Sequence, residues 1–188
     1  MYNKYNYWKN RSDPNNKNGR VQALHHIDWS KSFINKNDKI LEYGPGVGRM
    51  VKLYENNKEI NFYDITPTYK KKLNNNCKDI GLPISQYIID NKEGIITPFK
   101  NEEFDVVTCF QVLLHSPPQE ISELMMELSR ISKKVIVITS TNWKGVNNHV
   151  FKHDYKKIID KNDLILEEWN DHIFENEIGF IYTKKKEK

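Results

Sequence analysis

The chain has 188 residues, 38% of them hydrophobic and 29% charged, with a formal net charge of +4. That length suits one domain with a sizeable core and excludes a second large one, and the apolar content excludes general disorder. Two cysteines, Cys77 and Cys109, outside any C-x-x-C pair exclude a disulfide framework, and the lack of a long apolar run excludes a helical bilayer span.

Residues 1–37 are polar and aromatic, broken at Asp13-Pro14-Asn15-Asn16, with one helix expected over 19–33 carrying Val21, Leu24, Ile27 and Phe33 on a stripe. From there strands and helices alternate. A strand over 39–43 precedes a helix over 49–56, and a strand over 60–65 precedes a helix opened by Pro67. A third strand spans 84–90. The fourth, Phe104-Asp105-Val106-Val107-Thr108-Cys109-Phe110, is apolar on both faces, as a central parallel strand should be. Pro117-Pro118 starts a helix through Arg130, with Ile121, Leu124, Met125 and Leu128 on one stripe. A fifth strand over 134–139, a helix over 153–160 and strands over 164–169 and 178–183 follow, the last two as a hairpin with a longer connection. Alternation of this kind predicts an α/β fold with ligands at the carboxyl ends of parallel strands.

The chemistry concentrates in Glu42-Tyr43-Gly44-Pro45-Gly46-Val47-Gly48. A glycine turn between a strand and a helix lets backbone approach a ligand closely. Asp64 ends the next strand about 20 residues beyond Gly44, the spacing of a carboxylate that holds a ribose diol. The alternative for Asp64 is a helix N-cap ahead of Thr66-Pro67. A dinucleotide fingerprint would place its third glycine one residue later, where this chain has Arg49. Glu42 would repel a pyrophosphate and suits a ligand with a cationic amino group. A nucleoside cofactor bearing an ammonium is the expectation.

The pattern acid-x-G-x-G-x-G resembles motif I of the class I S-adenosylmethionine-dependent methyltransferases. Phe104-Asp105-Val106-Val107 resembles that family's F-D-x-V segment, and Gln111-Val112-Leu113-Leu114-His115 its segment near the methionine end of the cofactor. The resemblance covers most of the chain, about residues 38–184. It implies a Rossmann-like three-layer sandwich: a mostly parallel seven-stranded sheet ending in an antiparallel hairpin. Residues 1–37 would then form an N-terminal helical lid and residues 38–188 the S-adenosylmethionine-binding domain, in a single globular domain overall.

The resemblance also distributes the cofactor. Asp64 would hold the ribose, with Ile65 and Ile89 lining the adenine slot and Asp90 or Asn91 accepting from the exocyclic amine, although Asp90 also reads as a loop-starting aspartate. Backbone at Gly44, Gly46, Gly48 and Phe110 would surround the methionine end, Glu42 acting through water. Arg11, in Trp8-Lys9-Asn10-Arg11, would pair with the carboxylate, as the W-x-x-R segment of related enzymes does; its alternative is a surface arginine. Trp8, Trp29, Trp143 and Trp169 read as core, with a substrate wall as the alternative.

Methyl transfer is an in-line displacement at an already activated carbon, so positioning and water exclusion dominate. A base is needed only for an acceptor that still carries its proton. His115 is the candidate, because histidine titrates near neutrality; its alternatives are a pocket wall or a cap for the following helix. His25-His26 with Asp28, and His153-Asp154, do not complete a metal set, so no metal is expected.

The expected activity is methyl transfer from S-adenosylmethionine to a small-molecule acceptor. Gln111-Val112-Leu113 after Phe110 lacks the N/D-P-P-Y/F motif of amino-methylating nucleic-acid enzymes, which disfavours nucleic acid. The alternatives are a non-catalytic cofactor-binding or regulatory subunit, or an RNA-directed enzyme or basic nucleic-acid-binding protein using Lys70-Lys71-Lys72 and Lys184-Lys185-Lys186. Those runs otherwise read as solvated helix faces or frayed ends. The polar N-terminus does not read as a signal peptide, so the expected location is cytoplasmic, without a membrane partner.

Overall fold

Apolar runs bounded by turn residues become the strands. The computed structural model describes residue 7 and residues 18–89, 95–140 and 149–185. Its strands are β1 (Ile40–Tyr43), β2 (Ile60–Asp64), β3 (Ile84–Ile89), β4 (Phe104–Phe110), β5 (Ser132–Ser140), β6 (Leu164–Phe174) and β7 (Glu177–Lys184). The helices are α1 (Asn18–Ser30), α2 (Lys70–Asp79), α3 (Ile121–Arg130) and α4 (Tyr155–Lys161). The seven strands follow the order β3-β2-β1-β4-β5-β7-β6. Pairs β1–β2, β2–β3 and β4–β5 are parallel, and β7 is antiparallel to both β5 and β6. This is the expected Rossmann-like, mostly parallel sheet with an antiparallel C-terminal hairpin. Two compact units divide it, Met1–Lys92 and Glu93–Lys188.

In the first unit β2 pairs on both edges and is buried along its whole length. Its one internal amide is satisfied there, Asn61 Nδ2 donating to the Ile40 carbonyl at 3.0 Å. Two expectations change. The run 49–56 forms turns and a 3-10 segment, Val51–Tyr54, in place of an α-helix. Its N–H groups bond three residues back, as Leu53 to Met50 at 2.8 Å and Asn57 to Tyr54 at 2.9 Å, and so short a run gains little from α-helical propagation. Among the residues of α1 whose side chains are described, the buried positions are Ala23, His26 and Ser30, Ile27 is half-buried, and Leu24 is 56% exposed. Of the expected stripe, Leu24 faces outward, and small or polar side chains take the buried places described. Pro67 opens a turn, with Lys70 N–H on its carbonyl at 3.0 Å, and α2 proper begins at Lys70.

In the second unit β4 and β5 supply an apolar core to which α3 adds Ile121, Leu124, Met125 and Leu128, the expected stripe. Cys109 is buried in β4, as a small hydrophobe. Tyr182 of β7 ties the hairpin to α3, its hydroxyl donating to the Met125 carbonyl at 3.1 Å. Buried Glu127 accepts from Thr97 N–H and hydroxyl at 2.7 and 2.6 Å and pairs with Arg130 at 2.7 Å, pinning the loop before β4. The hairpin connection is tighter than expected. Strands β6 and β7 meet at the two-residue turn Glu175-Asn176, made possible by Glu175 at φ 46°. Among the described residues no helix is long and apolar enough to cross a membrane.

Candidate functional site

Within the first unit, the carboxyl ends of β1 and β2 carry the chemistry. The ladder runs one residue past β1, Gly44 N–H donating to the Tyr63 carbonyl at 2.8 Å. The chain then turns through Gly44, Gly46 and Gly48 at φ 73°, 53° and 79°, a left-handed region that costs other residues strain. The glycines serve different needs. A Cβ on Gly48 would sit 2.5 Å from Leu73 Cδ1 and 3.0 Å from Val51 Cγ1, so Gly48 lets α2 pack against the turn. A Cβ on Gly46 would meet no atom within 4 Å, which leaves open space beside its backbone. Asn76 of α2 braces the turn, Nδ2 donating to the Val47 carbonyl at 2.7 Å.

Two carboxylates lie beneath this turn. Glu42 on β1 is 2% exposed and its Oε2 has no hydrogen-bond partner. Burial pushes its pKa up to about 8 from the ordinary 4.5, and the nearby Asp64 charge adds to the rise. A hydrogen bond from the Tyr54 side chain and the Arg49 charge oppose it. An unpartnered buried carboxylate oxygen is costly, and a cationic ligand group is what would relieve it. Asp64 closes β2 at 6% exposure, its Oδ1 accepting from Thr66 N–H at 3.1 Å. Burial raises it to about 6, opposed by the backbone N–H groups of Thr66, Gly46 and Ile65. Asp64 is not the helix N-cap. That place belongs to Tyr69, and the carboxylate instead ties the end of β2 to the glycine turn.

The donor set fits a nucleoside carrying an ammonium. Asp64 offers oxygen acceptors for a ribose diol, Glu42 a buried negative oxygen, and Gly46 room for close approach. Ile65 lies half-buried directly after β2, and Ile89 half-buried at the end of β3. Asp90, Asn91, Arg11 and Trp8 lie outside the described residues.

Within the second unit, Phe110 ends β4 and is buried, and Gln111 follows at φ 58°. The Gln111 side chain donates to Glu177 Oε1, and Ser140 hydroxyl donates to Gln111 Oε1 at 3.0 Å. This network joins the ends of β4 and β5 to the start of β7. Sequence reasoning missed Ser140 and Glu177, because only strand pairing unites positions so far apart. His115 ends the 3-10 turn Leu113–His115, its Nδ1 at 2.8 Å from the His149 carbonyl oxygen. His153 Nε2 is buried without a partner, and burial lowers its pKa against the backbone carbonyls of Ser116 and Leu113.

The histidine and aspartate groups weighed for a metal take other roles. His26 is buried and His25 exposed, Asp28 pairs with Lys31 at 2.7 Å, and Asp154 caps α4 by accepting from Lys157 N–H at 3.1 Å. Among the described residues no three His, Cys, Asp or Glu side chains are grouped to hold a metal.

The methyltransferase domain family model matches residues 41–136. No curated protein matches the chain at significance. Among solved structures, the PH0226 protein of Pyrococcus horikoshii is similar at 17% identity and TM-score 0.76, covering 98% of this chain and 100% of that one. The magnesium protoporphyrin IX methyltransferase of Synechocystis, solved with S-adenosylhomocysteine, is similar at 14% identity and TM-score 0.71, covering 96% and 93%. A chain of the complex between the Haloferax volcanii Trm112 methyltransferase activator and a methyltransferase is similar at 10% identity and TM-score 0.73, covering 99% and 100%.

Proposed function

We propose that this chain, which belongs to the methyltransferase domain family and takes S-adenosylmethionine as cofactor, methylates a small molecule. The observation that carries the cofactor site is Glu42 Oε2, buried and unpartnered beneath a turn whose Gly46 leaves open space. Glu42 would receive the ammonium and Asp64 the ribose diol, with Ile65 beside the adenine. Gly44, Gly46 and Gly48 would bring backbone up to the methionine end. For Asp90, Asn91, Arg11 and Phe110 the support is the sequence resemblance alone.

The cofactor supplies a methyl group on positively charged sulfur; the protein's task is to bind, align and dry the site. Burial favours the neutral form of Glu42 in the ligand-free protein. An ammonium placed against it favours the carboxylate, so binding releases a proton near neutral pH. Residues 1–37 would serve as a lid over the acceptor and residues 38–188 as the methyltransferase domain. A cytoplasmic location is proposed on the two buried thiols, Cys77 and Cys109.

Small-molecule specificity rests on Gln111-Val112-Leu113 standing where amino-methylating nucleic-acid enzymes carry their proline motif. With tritiated methyl donor and a cell extract, label is expected in the small-molecule fraction, sparing purified RNA and DNA. Robust label in nucleic acid freed of metabolites would transfer the reading to an RNA-directed enzyme.

A further inference from the structure

The inference deepens the methyltransferase reading, on which it rests, and concerns Asn76. At Gly48 packing demands glycine, since a Cβ would lie 2.5 Å from Leu73 Cδ1 and φ is 79°. Glycine is also the residue whose flanking peptides rotate most freely. The Val47–Gly48 peptide therefore needs a restraint, and it has one at each end. Its N–H donates to the Pro45 carbonyl at 2.9 Å, and its carbonyl accepts from Asn76 Nδ2 at 2.7 Å. The first contact lies inside the turn and moves with it; the second reaches across 29 positions to α2. Leu73, Asn76 and Cys77 share one face of that helix, being three and four residues apart. The face meets the turn at Gly48 and Val47, and burial with the nearby Glu42 charge pushes the Cys77 thiol up to about 11. Helix propensity does not account for the residue, because Asn74-Asn75-Asn76 is a poor helical run.

We propose that Asn76 is a positioning residue for the cofactor: by fixing the Val47–Gly48 peptide it keeps the Gly46 N–H on Asp64, so that the turn and the ribose-binding carboxylate meet the ligand as one rigid unit. The Gly46 N–H already bonds the Asp64 carboxylate in the ligand-free protein. Without Asn76 the peptide rotates about Gly48, its carbonyl leaves α2, and Gly46 moves off Asp64. The ligand must then order the turn as it binds, which lowers affinity with no contact to the ligand removed. Asn76 acts through the Val47 carbonyl, from within the same compact unit as Glu42 and Asp64.

The test is S-adenosylhomocysteine affinity, by titration calorimetry, on the full-length chain and on variants that melt cooperatively. Asn76→Ala removes the bond while raising helix propensity, so α2 is not weakened. It should bind about three- to tenfold more weakly, the scale of one neutral hydrogen bond. Asn76→Asp keeps the shape, removes the donor, and should lose at least as much. Asn75→Ala makes the same change of propensity at an exposed position and should bind like wild type. Because Asn76 works through Asp64, Asn76→Ala should cost little further affinity in an Asp64→Ala background. In ¹⁵N-labelled protein the Gly48 amide resonance should broaden by microsecond-to-millisecond exchange in Asn76→Ala and stay sharp in Asn75→Ala. Wild-type affinity in both Asn76 variants, an equal loss in Asn75→Ala, a full additive loss on top of Asp64→Ala, or a Gly48 amide unchanged by Asn76→Ala would each overturn the proposal. A wild-type chain that fails to bind S-adenosylhomocysteine would instead overturn the methyltransferase reading beneath it.

Discussion

Glu42→Gln should stabilise the ligand-free protein at pH 9 by a few kcal/mol, while changing it little at pH 4. The wild-type carboxyl ionises near 4.5 in the unfolded chain and at about 8 when folded, because burial disfavours its charge. Below pH 4.5 both states hold the proton and stability is complete. As pH rises the unfolded chain ionises first, and stability drains until the folded carboxyl ionises too, near 8. Each pKa unit is worth about 1.36 kcal/mol, which sets the scale. Glutamine still accepts from the Tyr54 hydroxyl but never ionises. Thermal melts of both proteins across this range check it: equal differences at pH 4 and pH 9 would contradict the buried-carboxylate account. The same substitution should weaken cofactor binding, because the ammonium loses its countercharge. Stability and function oppose each other at this position.

The second large effect falls on binding. Asp64→Ala should weaken S-adenosylhomocysteine affinity about ten- to hundredfold, the equivalent of losing hydrogen bonds to a charged acceptor, about 1.5–3 kcal/mol. Gly46→Val should act by a different route, adding bulk where a Cβ meets nothing and forcing a β-branched residue to φ 53°. Titration calorimetry separates the two from misfolding when both variants first show cooperative melts. Wild-type affinity in both folded variants would remove the glycine turn and Asp64 from the site.

Legibility in the sequence followed the range of the interaction. The strands around Phe62 and Val107 are long enough apolar runs to be read directly, and the glycine spacing announces a turn that only left-handed backbone makes. Local competition was harder. The residues after Gly48 show helical periodicity, yet bonds three residues back win in a run that ends at Asn57. Leu24 suggested a buried stripe, whereas the buried positions described on that helix are Ala23, His26 and Ser30. Asp154 carried a readable signal, an aspartate before a helix, and the structure makes it the cap of that helix. Nothing in the sequence joins His115 to His149, or Gln111 to Glu177. Those partners meet only after β4, β5 and β7 have paired. Residues expected to flank the cofactor at Arg11, Asp90 and Asn91 lie outside the described residues and stand on the motif alone.

The most direct measurement of the central claim is native mass spectrometry of the freshly purified, folded chain, before and after adding S-adenosylhomocysteine. The account predicts one equivalent of S-adenosylmethionine or its demethylated product bound per chain, with lower occupancy in Asp64→Ala at sub-saturating ligand. A folded chain that carries no adduct at saturating ligand would contradict it.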